Sequence, residues 1–444
     1  MFNPTKLKNI FKSSDSEEYK NTSEPGIHIR WEPVMFDGAC FAHYCSIGAK
    51  TCYNLEASDS YKKNLDHIKR IMGYGHDSIS SHSNIMFLMT IESYKNNSDV
   101  SSLLYALPSL RFMNISILPD TRNLDNDIWT TRVLISGSIR AYRYFIKTFY
   151  DDYIPNNGWN TDFFEIIKDV IYNTMEKEFF IDYINMGILE EDKFQYIAPL
   201  KIDVSLDQNG DEIADVDEDS SPMINKVYSS EHVDILYRDD IYQLYKELLT
   251  DDIINTHKED KLLDDILNCG IIILRLKNYS RATSQQINRH LSGISQESQR
   301  YVNYSICKFI NPFDFHNNKE ECNAKKYKIK LFNTEVELTP QELGDSLMSI
   351  YSQLKDQGMQ NQDARSFLPI NAETKAIHTF TYKNMIHFIK LRNSQFAQQE
   401  VRQIAKEIKD LMMNPIEEEE ENGSEMLDII KKINLKLLDR MDNK

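Results

Sequence analysis

The chain has 444 residues, which is room for about two or three domains, and its hydrophobic content of 41% can build a sizeable core. Its formal net charge of -17 at pH 7 argues against a protein that binds nucleic acid or anionic membranes, because neither polyanion would be attracted over most of the surface. The six cysteines have no paired metal-ligand spacing, and no apolar run reaches the roughly 18 residues that a membrane span needs. We therefore expect a cytoplasmic protein with reduced thiols and no metal site.

The first part of the chain predicts a tail, a helix and a strand. Residues 1–26 are polar and charged and are expected to form a flexible tail. Apolar periodicity predicts a helix from Tyr61 to Met72, and a Gly-His turn in GYGHDSISSH then leads into a strand from Ile85 to Ile91. Histidines that flank a strand are more often core or capping residues than ligands, so this turn alone indicates no function.

Residues 93–264 have weaker patterns, with a strand predicted from Leu110 to Leu118 and a strand and helix in TTRVLISGSIRAYRYFIKTF. An amphipathic helix is predicted from Phe163 to Phe180. The acidic stretch DVSLDQNGDEIADVDEDSSP is interpreted as a solvated loop, because the first and last ligand positions of a calcium loop would fall on Ser205 and Val216.

The segment RATSQQINRHLSGISQESQRYVNYS follows a strand predicted from Ile271 to Leu276. Its first half predicts a helix with Gln286, Arg289 and His290 on one face, ended by Gly293 in a left-handed turn. Its second half, SQESQRY, supplies amides, hydroxyls and a guanidinium fork that suits a phosphate. We interpret this segment as a nucleotide site rather than core.

The C-terminal part predicts a helix from Gln341 to Gln357 that begins after Thr339-Pro340, and a strand from Ala372 to Tyr382 followed by a long helix. Residues 413–424 form an acidic linker. Residues 425–444 predict an amphipathic helix that docks on the chain's own core or on a neighbouring subunit.

Three segments together resemble the flavin-dependent thymidylate synthase (ThyX) family. Arg289-His290 and SQESQRY match its Arg-His-Arg and Ser-x-Arg-Tyr signature, with a spacer one residue shorter; GHDSISSH matches its second signature; residues 363–402 match its C-terminal block. The run from Ile47 to Tyr53 resembles the segment that opens the family's core. The departures from the family's pattern are Ser81, Leu291, Thr381, Lys383 and Phe396.

The resemblance implies an α+β fold (α/β mixed), with a core of a mixed sheet and long helices. That core would be discontinuous, made of residues 27–92 and 265–412, and residues 93–264 would be a mainly helical insertion folded outside it. One alternative is a tandem degenerate repeat, since Gly137-Ser138-Ile139-Arg140 resembles the strand-to-helix element that the family carries near its C-terminal end.

The resemblance also implies reductive methylation of dUMP to dTMP. Methylenetetrahydrofolate would donate the carbon and NADPH would reduce FAD, since no ordinary side chain is a hydride source. The enzyme would be a homotetramer with FAD bound between subunits. Two alternatives stay open: a related flavin enzyme that makes another 5-substituted deoxyuridylate, and a non-catalytic structural relative.

Site residues follow from the same resemblance. The implied dUMP contacts are Gln286, Ser298, Gln299, Arg300, Tyr301, Arg365 and Arg392. The implied flavin contacts are His76, Ser78, Arg289, His290, Lys383 and His387. The catalytic candidates are Arg392, which would stabilise charge on the activated pyrimidine, and Ser298, for which ligand binding is favoured because no His-carboxylate relay is visible near it in the sequence.

Overall fold

The computed structural model describes residues 28–35, 38–58, 60–73, 76–94, 113–118, 128–142, 228–331, 333–413 and 423–442. The predicted tail, the predicted helix from Phe163 to Phe180 and the acidic stretch lie outside these residues, as does Gly75 of the Gly-His turn.

The N-terminal part of the described chain forms a four-stranded sheet in the order β1-β2-β4-β3, in which every pairing is antiparallel. Two α-helices and a 3-10 helix connect β1 to β2. The elements are β1 (His28–Met35), α1 (Gly38–Thr51), α2 (Tyr61–Gly73), the 3-10 helix (Asp77–Ser81), β2 (Ile85–Tyr94), β3 (Met113–Ile117) and β4 (Ile128–Gly137).

The C-terminal part forms a five-stranded antiparallel sheet in the order β5-β6-β7-β11-β8 and a separate hairpin of β9 and β10. Its strands are β5 (Tyr228–Ser229), β6 (Val233–Arg238), β7 (Ile271–Ser280), β8 (Gly293–Gln296), β9 (Tyr327–Leu331), β10 (Thr334–Leu338) and β11 (Glu373–Thr381). Its helices are α3 (Ile241–Leu248), α4 (Asp251–Asn255), α5 (Glu259–Cys269), α6 (Arg281–Ile287), α7 (Lys319–Ala324), α8 (Pro340–Asp356), α9 (Asn361–Ala364), α10 (Tyr382–Arg392), α11 (Gln399–Met413) and α12 (Gly423–Asp442).

The two larger sheets share one topology. Strands β1, β2, β3 and β4 correspond to β6, β7, β8 and β11: in each sheet the first strand pairs with the second, the second with the fourth, and the fourth with the third. Helices separate the first strand from the second in both, and a helix follows the fourth strand in both.

The strand registers agree residue by residue. One row of paired residues across the first sheet is Met35, Met86, Ser136 and Asn114. The corresponding row across the second sheet is Tyr237, Ile273, Thr379 and Gly293. Next to this row, both first strands have a register irregularity, between Pro33 and Met35 in β1 and between Ile235 and Tyr237 in β6. The chain therefore contains two copies of one unit, and we call residues 28–142 the first repeat and residues 228–413 the second repeat.

This arrangement corrects the predicted division of the chain. Strands β2 and β7 were expected in one core sheet, with residues 93–264 as an insertion outside it. That is wrong for the strands, because β2 is already flanked by β1 and β4 and β7 by β6 and β11, and a strand has only two edges. The described residues of 93–264 supply β3 and β4 to one sheet and β5 and β6 to the other. This arrangement agrees with the alternative of a tandem degenerate repeat.

The repeats exchange helices. Helix α1 of the first repeat packs on β8 and β11 of the second, and α5 of the second repeat packs on β3 and β4 of the first. The side chains of Met86 and Leu134 lie in the same buried cluster as Leu262, Ile266 and Leu267 of α5. Burying a Leu or Ile side chain contributes about 1.5–3 kcal/mol, so each sheet depends on the other repeat for part of its core.

Local sequence signals explain several boundaries. The helix predicted after Thr339-Pro340 is confirmed as α8, and the structure shows that it begins with a capping box of Thr339 and Glu342, with Pro340 in its first turn. Helix α12 contacts α3 and α10, and the apolar residues on one of its faces are buried in the core of its own chain. Those residues are Met426, Ile430, Ile433, Leu437 and Met441.

The α+β class is confirmed, and the described sheets are antiparallel where a sheet of mixed direction was expected. Cys45, Cys52, Cys269, Cys307 and Cys322 are free thiols. None of the described helices is long and apolar enough to cross a membrane.

An ion pair fastens α11 to the second sheet. Glu407 accepts hydrogen bonds from His232 Nδ1 at 2.8 Å, from the His232 backbone N–H at 3.0 Å and from Ser230 Oγ at 2.6 Å. Burial alone would raise the pKa of Glu407, but these bonds outweigh it and lower that pKa to about 2. Burial alone would lower the pKa of His232, but the hydrogen bond and the charge of Glu407 raise it above its ordinary value.

We predict that this pair makes stability fall as pH rises. The pKa of His232 is higher in the folded than in the unfolded chain, so the contribution of His232 is complete below about pH 6.5 and is lost as pH rises through the folded pKa. The pKa of Glu407 is lowered, so the contribution of Glu407 is complete above about pH 4.5 and is lost only as pH falls below that value. Glu407→Gln should destabilise the protein by about 1–3 kcal/mol at pH 6 and should flatten this slope. Urea unfolding at pH 6 and pH 9 measures both effects.

The control is Glu335→Gln, which breaks the exposed pair with Lys328 and should change little. An unchanged pH slope in Glu407→Gln would contradict the prediction.

Candidate functional site

The structure corrects the predicted helix that was to carry the first motif. Helix α6 ends at Ile287 with Asn288 as its C-cap, so Arg289 and His290 lie in a turn beyond the helix. Gly293 opens β8 and has no left-handed backbone. A Cβ atom at Gly293 would lie 2.7 Å from the carbonyl oxygen of Ser81, so the close approach of the first repeat's 3-10 helix requires a glycine there.

Arg392, at the end of α10, binds the turn that follows α6. Its Nε donates to Nε2 of His290 at 3.0 Å, and its Nη2 donates to the backbone oxygen of Gln286 at 3.0 Å. The His290 ring also packs edge-on against Phe388 and lies 6.1 Å from the ring of His387. We call Gln286, His290, His387 and Arg392 the arginine cluster.

The arginine cluster combines a neutral imidazole with a protonated guanidinium. Burial, and then the charges of Arg392 and His387, lower the pKa of His290 to about 4. His290 is therefore neutral near pH 7, and its Nε2 can accept the hydrogen bond that Arg392 Nε–H donates. The two bonds use two of the five guanidinium N–H groups, which leaves up to three for a ligand carbonyl or phosphate.

Residues 298–302, which we call the polar turn, are held on the first repeat. The backbone N–H of Ser298 donates to the backbone oxygen of Cys52 at 3.0 Å, and the Tyr301 ring lies 5.1 Å from the ring of Tyr53. Within the turn, Ser298 O accepts from the N–H groups of Tyr301 and Val302, and Ser298 Oγ accepts from the N–H of Arg300 at 3.3 Å.

The other predicted dUMP contacts lie around these two groups. Arg300 is exposed, with its guanidinium 5.4 Å from the centre of the Tyr301 ring, and Gln299 is half-buried. Arg365 is exposed and follows α9, whose Asn361 donates to the Tyr301 backbone oxygen at 3.3 Å. Arg365 therefore belongs to the surroundings of the polar turn. None of the contacts described here joins the polar turn to the arginine cluster.

The predicted flavin contacts have side chains of types that suit a phosphate-bearing cofactor, and the structure shows one contact among them, between the rings of His290 and His387. The six residues include no carboxylate, and each can donate a hydrogen bond. His76, Ser78, Arg289, Lys383 and His387 are exposed and His290 is half-buried, so a ligand can reach them. Within the described residues, no group of three His, Cys, Asp or Glu side chains could hold a metal ion.

Sequence reasoning gave no role to several residues that build this site. Cys52 and Tyr53 hold the polar turn, and His82 lies buried between Ser295 and Thr379 of the second repeat. The available signals were the run that ends at Tyr53 and the histidine that ends GHDSISSH. Neither signal reveals that its partner lies more than 200 residues away in the chain.

Comparisons with known proteins point to the second repeat. Residues 223–415 match the family model described as thymidylate synthase complementing protein. The chain is 32% identical over 134 residues to a flavin-dependent thymidylate synthase of Geobacter sulfurreducens, covering 30% of this chain and 52% of that protein. It is 29% identical over 143 residues to one of Thermococcus onnurineus, covering 32% and 54%. The chain thus spans about half the length of the curated relatives that it matches.

Among solved structures, a ThyX of Helicobacter pylori complexed with FAD and dUMP is 18% identical, with 42% of this chain and 95% of that chain covered. The TM-score is 0.29, and at that value the likeness adds nothing to the fold described above.

We predict that Tyr53 orders the polar turn. Tyr53→Ala should remove a ring contact worth about 0.5–1.5 kcal/mol and should speed hydrogen exchange at the Tyr301 and Val302 amides up to about tenfold. The matched control is Tyr327→Ala, since the two tyrosines are equally exposed, at 37% and 38%, and Tyr327 lies in the β9–β10 hairpin. Equal acceleration in both variants would contradict a specific role for Tyr53.

Proposed function

We propose that this chain is a flavin-dependent thymidylate synthase, because residues 223–415 match the family model described as thymidylate synthase complementing protein. The proposed reaction is the reductive methylation of dUMP to dTMP. Methylenetetrahydrofolate carries its one-carbon unit at the oxidation level of formaldehyde, so methyl formation needs two electrons that no side chain supplies. FAD, reduced by NADPH, would supply them.

The observation that carries this proposal is the arginine cluster. Arg392 is fixed by His290 and by the backbone oxygen of Gln286, yet up to three of its N–H groups remain for a ligand. A guanidinium held in advance at a partly buried position stabilises negative charge that develops on a pyrimidine carbonyl when the ring is activated, and little reorganisation is needed at that moment.

We assign the polar turn to binding of the dUMP phosphate. The Ser298 hydroxyl accepts from the Arg300 backbone N–H, which orders the turn and leaves the Arg300 guanidinium exposed for a forked contact with phosphate. This bond supports a binding role for Ser298 over nucleophilic attack. Gln299, Tyr301 and Arg365 complete the proposed phosphate end.

The proposed enzyme is a homo-oligomer with shared sites. The polar turn and the arginine cluster make no direct contact with each other, and we propose that one nucleotide bridges the turn of one chain and the cluster of a second chain. Exposed apolar side chains flank both groups, with Leu291 at 53%, Tyr301 at 50% and Phe396 at 88% exposure, and an interface would cover them. Because each chain holds two repeats, a dimer already contains four, and the mass in solution decides between a dimer and the expected homotetramer.

We predict that the purified protein retains FAD, because the proposed contacts form an accessible set of cationic and hydroxyl donors. Flavin absorbance after gel filtration is the measurement. His387→Ala should lower the retained flavin several-fold, since it removes a donor from the exposed face of α10. Lys328→Ala in the β9–β10 hairpin should not. A wild-type protein that takes up no flavin from excess FAD would favour the non-catalytic alternative.

We predict that substitution of Arg392 impairs turnover, whereas substitution of Arg300 impairs dUMP binding. Arg392→Ala should lower turnover by about a hundredfold or more with FAD retained, and Arg392→Lys should rescue little because a point charge does not reproduce the fork. Arg300→Ala should chiefly weaken dUMP binding, by about 1.5–3 kcal/mol.

The measurements are labelled dTMP formation, dUMP-dependent NADPH oxidation and dUMP titration, with Arg70→Ala on α2 as the control. Near wild-type dTMP formation by Arg392→Ala would remove that residue from the mechanism. A different labelled nucleotide made by the wild type would assign the other 5-substituted product.

A further inference from the structure

The junctions between the two repeats are equivalent in topology but differ in chemistry. By strand register, His82 at the entry to β2 corresponds to Cys269 at the entry to β7, because Ile85 pairs with Gly137 as Ile272 pairs with Phe380. The side chain of each residue contacts the sheet of the other repeat. His82 lies against β8 and β11, and Cys269 lies against β3 and β4. The structure thus contains the same junction twice.

His82 makes two strong bonds at its junction. Nε2 lies 2.8 Å from Ser295 Oγ on β8, and Nδ1 lies 2.9 Å from Thr379 Oγ1 on β11. His82 is fully buried, and burial lowers its pKa to about 3, so the ring is neutral and accepts from one hydroxyl while it donates to the other. A Cβ atom at Gly48 of α1 would lie 2.3 Å from the ring, so the imidazole is wedged between that helix and the sheet.

Cys269 makes weaker contacts at the equivalent place. Its thiol lies 3.6 Å from the Leu134 backbone oxygen and 3.9 Å from that of Asn114. The hydroxyls that correspond to those of Ser295 and Thr379 belong to Ser116 and Ser136. The Cys269 thiol also interacts with these two hydroxyls, but a thiol is a weak donor and acceptor, so the directional restraint at this junction is weaker than at His82.

The junction with the stronger hydrogen bonds is at β8, the strand that leads into the polar turn. Strand β8 is only four residues long and lies at the edge of its sheet, where β11 is its one partner. Three residues beyond Ser295 the polar turn begins at Ser298. In the first repeat, the position three residues beyond Ser116 is a proline, Pro119, and no Ser-x-Arg-Tyr follows it.

We propose that His82 of the first repeat is a positioning residue for the substrate site of the second repeat: it clamps β8 to β11 so that the polar turn holds the conformation that binds the nucleotide phosphate. This proposal rests on the proposed function for the identity of the ligand. It gives the first repeat a role in a site whose signature lies entirely in the second. The junction at Cys269 has the weaker polar contacts and leads into no comparable turn.

The test uses the full chain with paired variants at the two junctions. Ser295→Ala removes the hydroxyl on β8 and leaves His82 in place, and Ser116→Ala is its matched control. His82→Gln and His82→Asn separate the two bonds, because the Gln amide reaches the place of Nε2 beside Ser295 and the Asn amide that of Nδ1 beside Thr379. Cys269→Ala is the control for the histidine variants, and urea midpoints confirm that each variant folds.

Two readouts are measured. Hydrogen exchange at the Tyr301 and Val302 amides, without ligand, should be about tenfold faster in Ser295→Ala and His82→Asn, and His82→Gln should stay closer to wild type. The KM for dUMP should rise about tenfold in the same two variants with kcat within about twofold, as expected for lost uniform binding. Ser116→Ala and Cys269→Ala should leave both readouts unchanged.

The outcomes distinguish the structural role of His82 from the identity of the ligand that the polar turn binds. Wild-type exchange in Ser295→Ala and His82→Asn, or equal acceleration in the controls, would overturn the clamp. Faster exchange with an unchanged KM would overturn its role in substrate positioning. A wild-type protein that binds no dUMP would overturn the proposed function and, with it, the ligand named here, whereas the exchange readout would still decide the clamp.

Discussion

The exchange of helices between the two repeats is the constraint on which the rest of the structure depends. Helix α1 covers β8 and β11, and α5 covers β3 and β4, so neither sheet completes its core from its own repeat. The side chains of Met86 and Leu134 share one buried cluster with those of Leu262 and Ile266. Folding of one repeat is therefore coupled to folding of the other, since separating them would expose apolar surface on both.

The same exchange makes the candidate site composite. The polar turn belongs to the second repeat, but the Cys52 backbone oxygen, the Tyr53 ring and the His82 imidazole that hold it come from the first. The first repeat has no Ser-x-Arg-Tyr segment after β3, yet its residues hold the turn that carries this segment in the second repeat.

The charges of the site contrast with those of the whole chain. The formal net charge is -17, yet the proposed ligand contacts are arginines, a lysine, histidines and uncharged donors. A small anion responds to local charge, so an acidic surface and a phosphate site are compatible. Neutral His290 adds to this, because it orients Arg392 without placing a second cation beside it.

The sequence determined what depends on neighbouring residues: the start of α8 after Thr339, the strands that begin at Ile85 and Ile271, and the residue types of the polar turn. Tertiary structure decided what depends on partners far apart in the chain. A run of alternating or apolar residues specifies a strand but not the strands beside it. The sequence therefore placed β2 and β7 in one sheet, whereas in the structure β2 pairs with β1 and β4, and β7 pairs with β6 and β11. Gly293 has the residue type of a helix stop, and only the approach of Ser81 from the other repeat gives its physical reason. The sequence could not predict the role of His82 for the same reason. Its hydrogen-bond partners lie 213 and 297 residues away in the chain, and contacts at that separation leave no periodic pattern in the sequence.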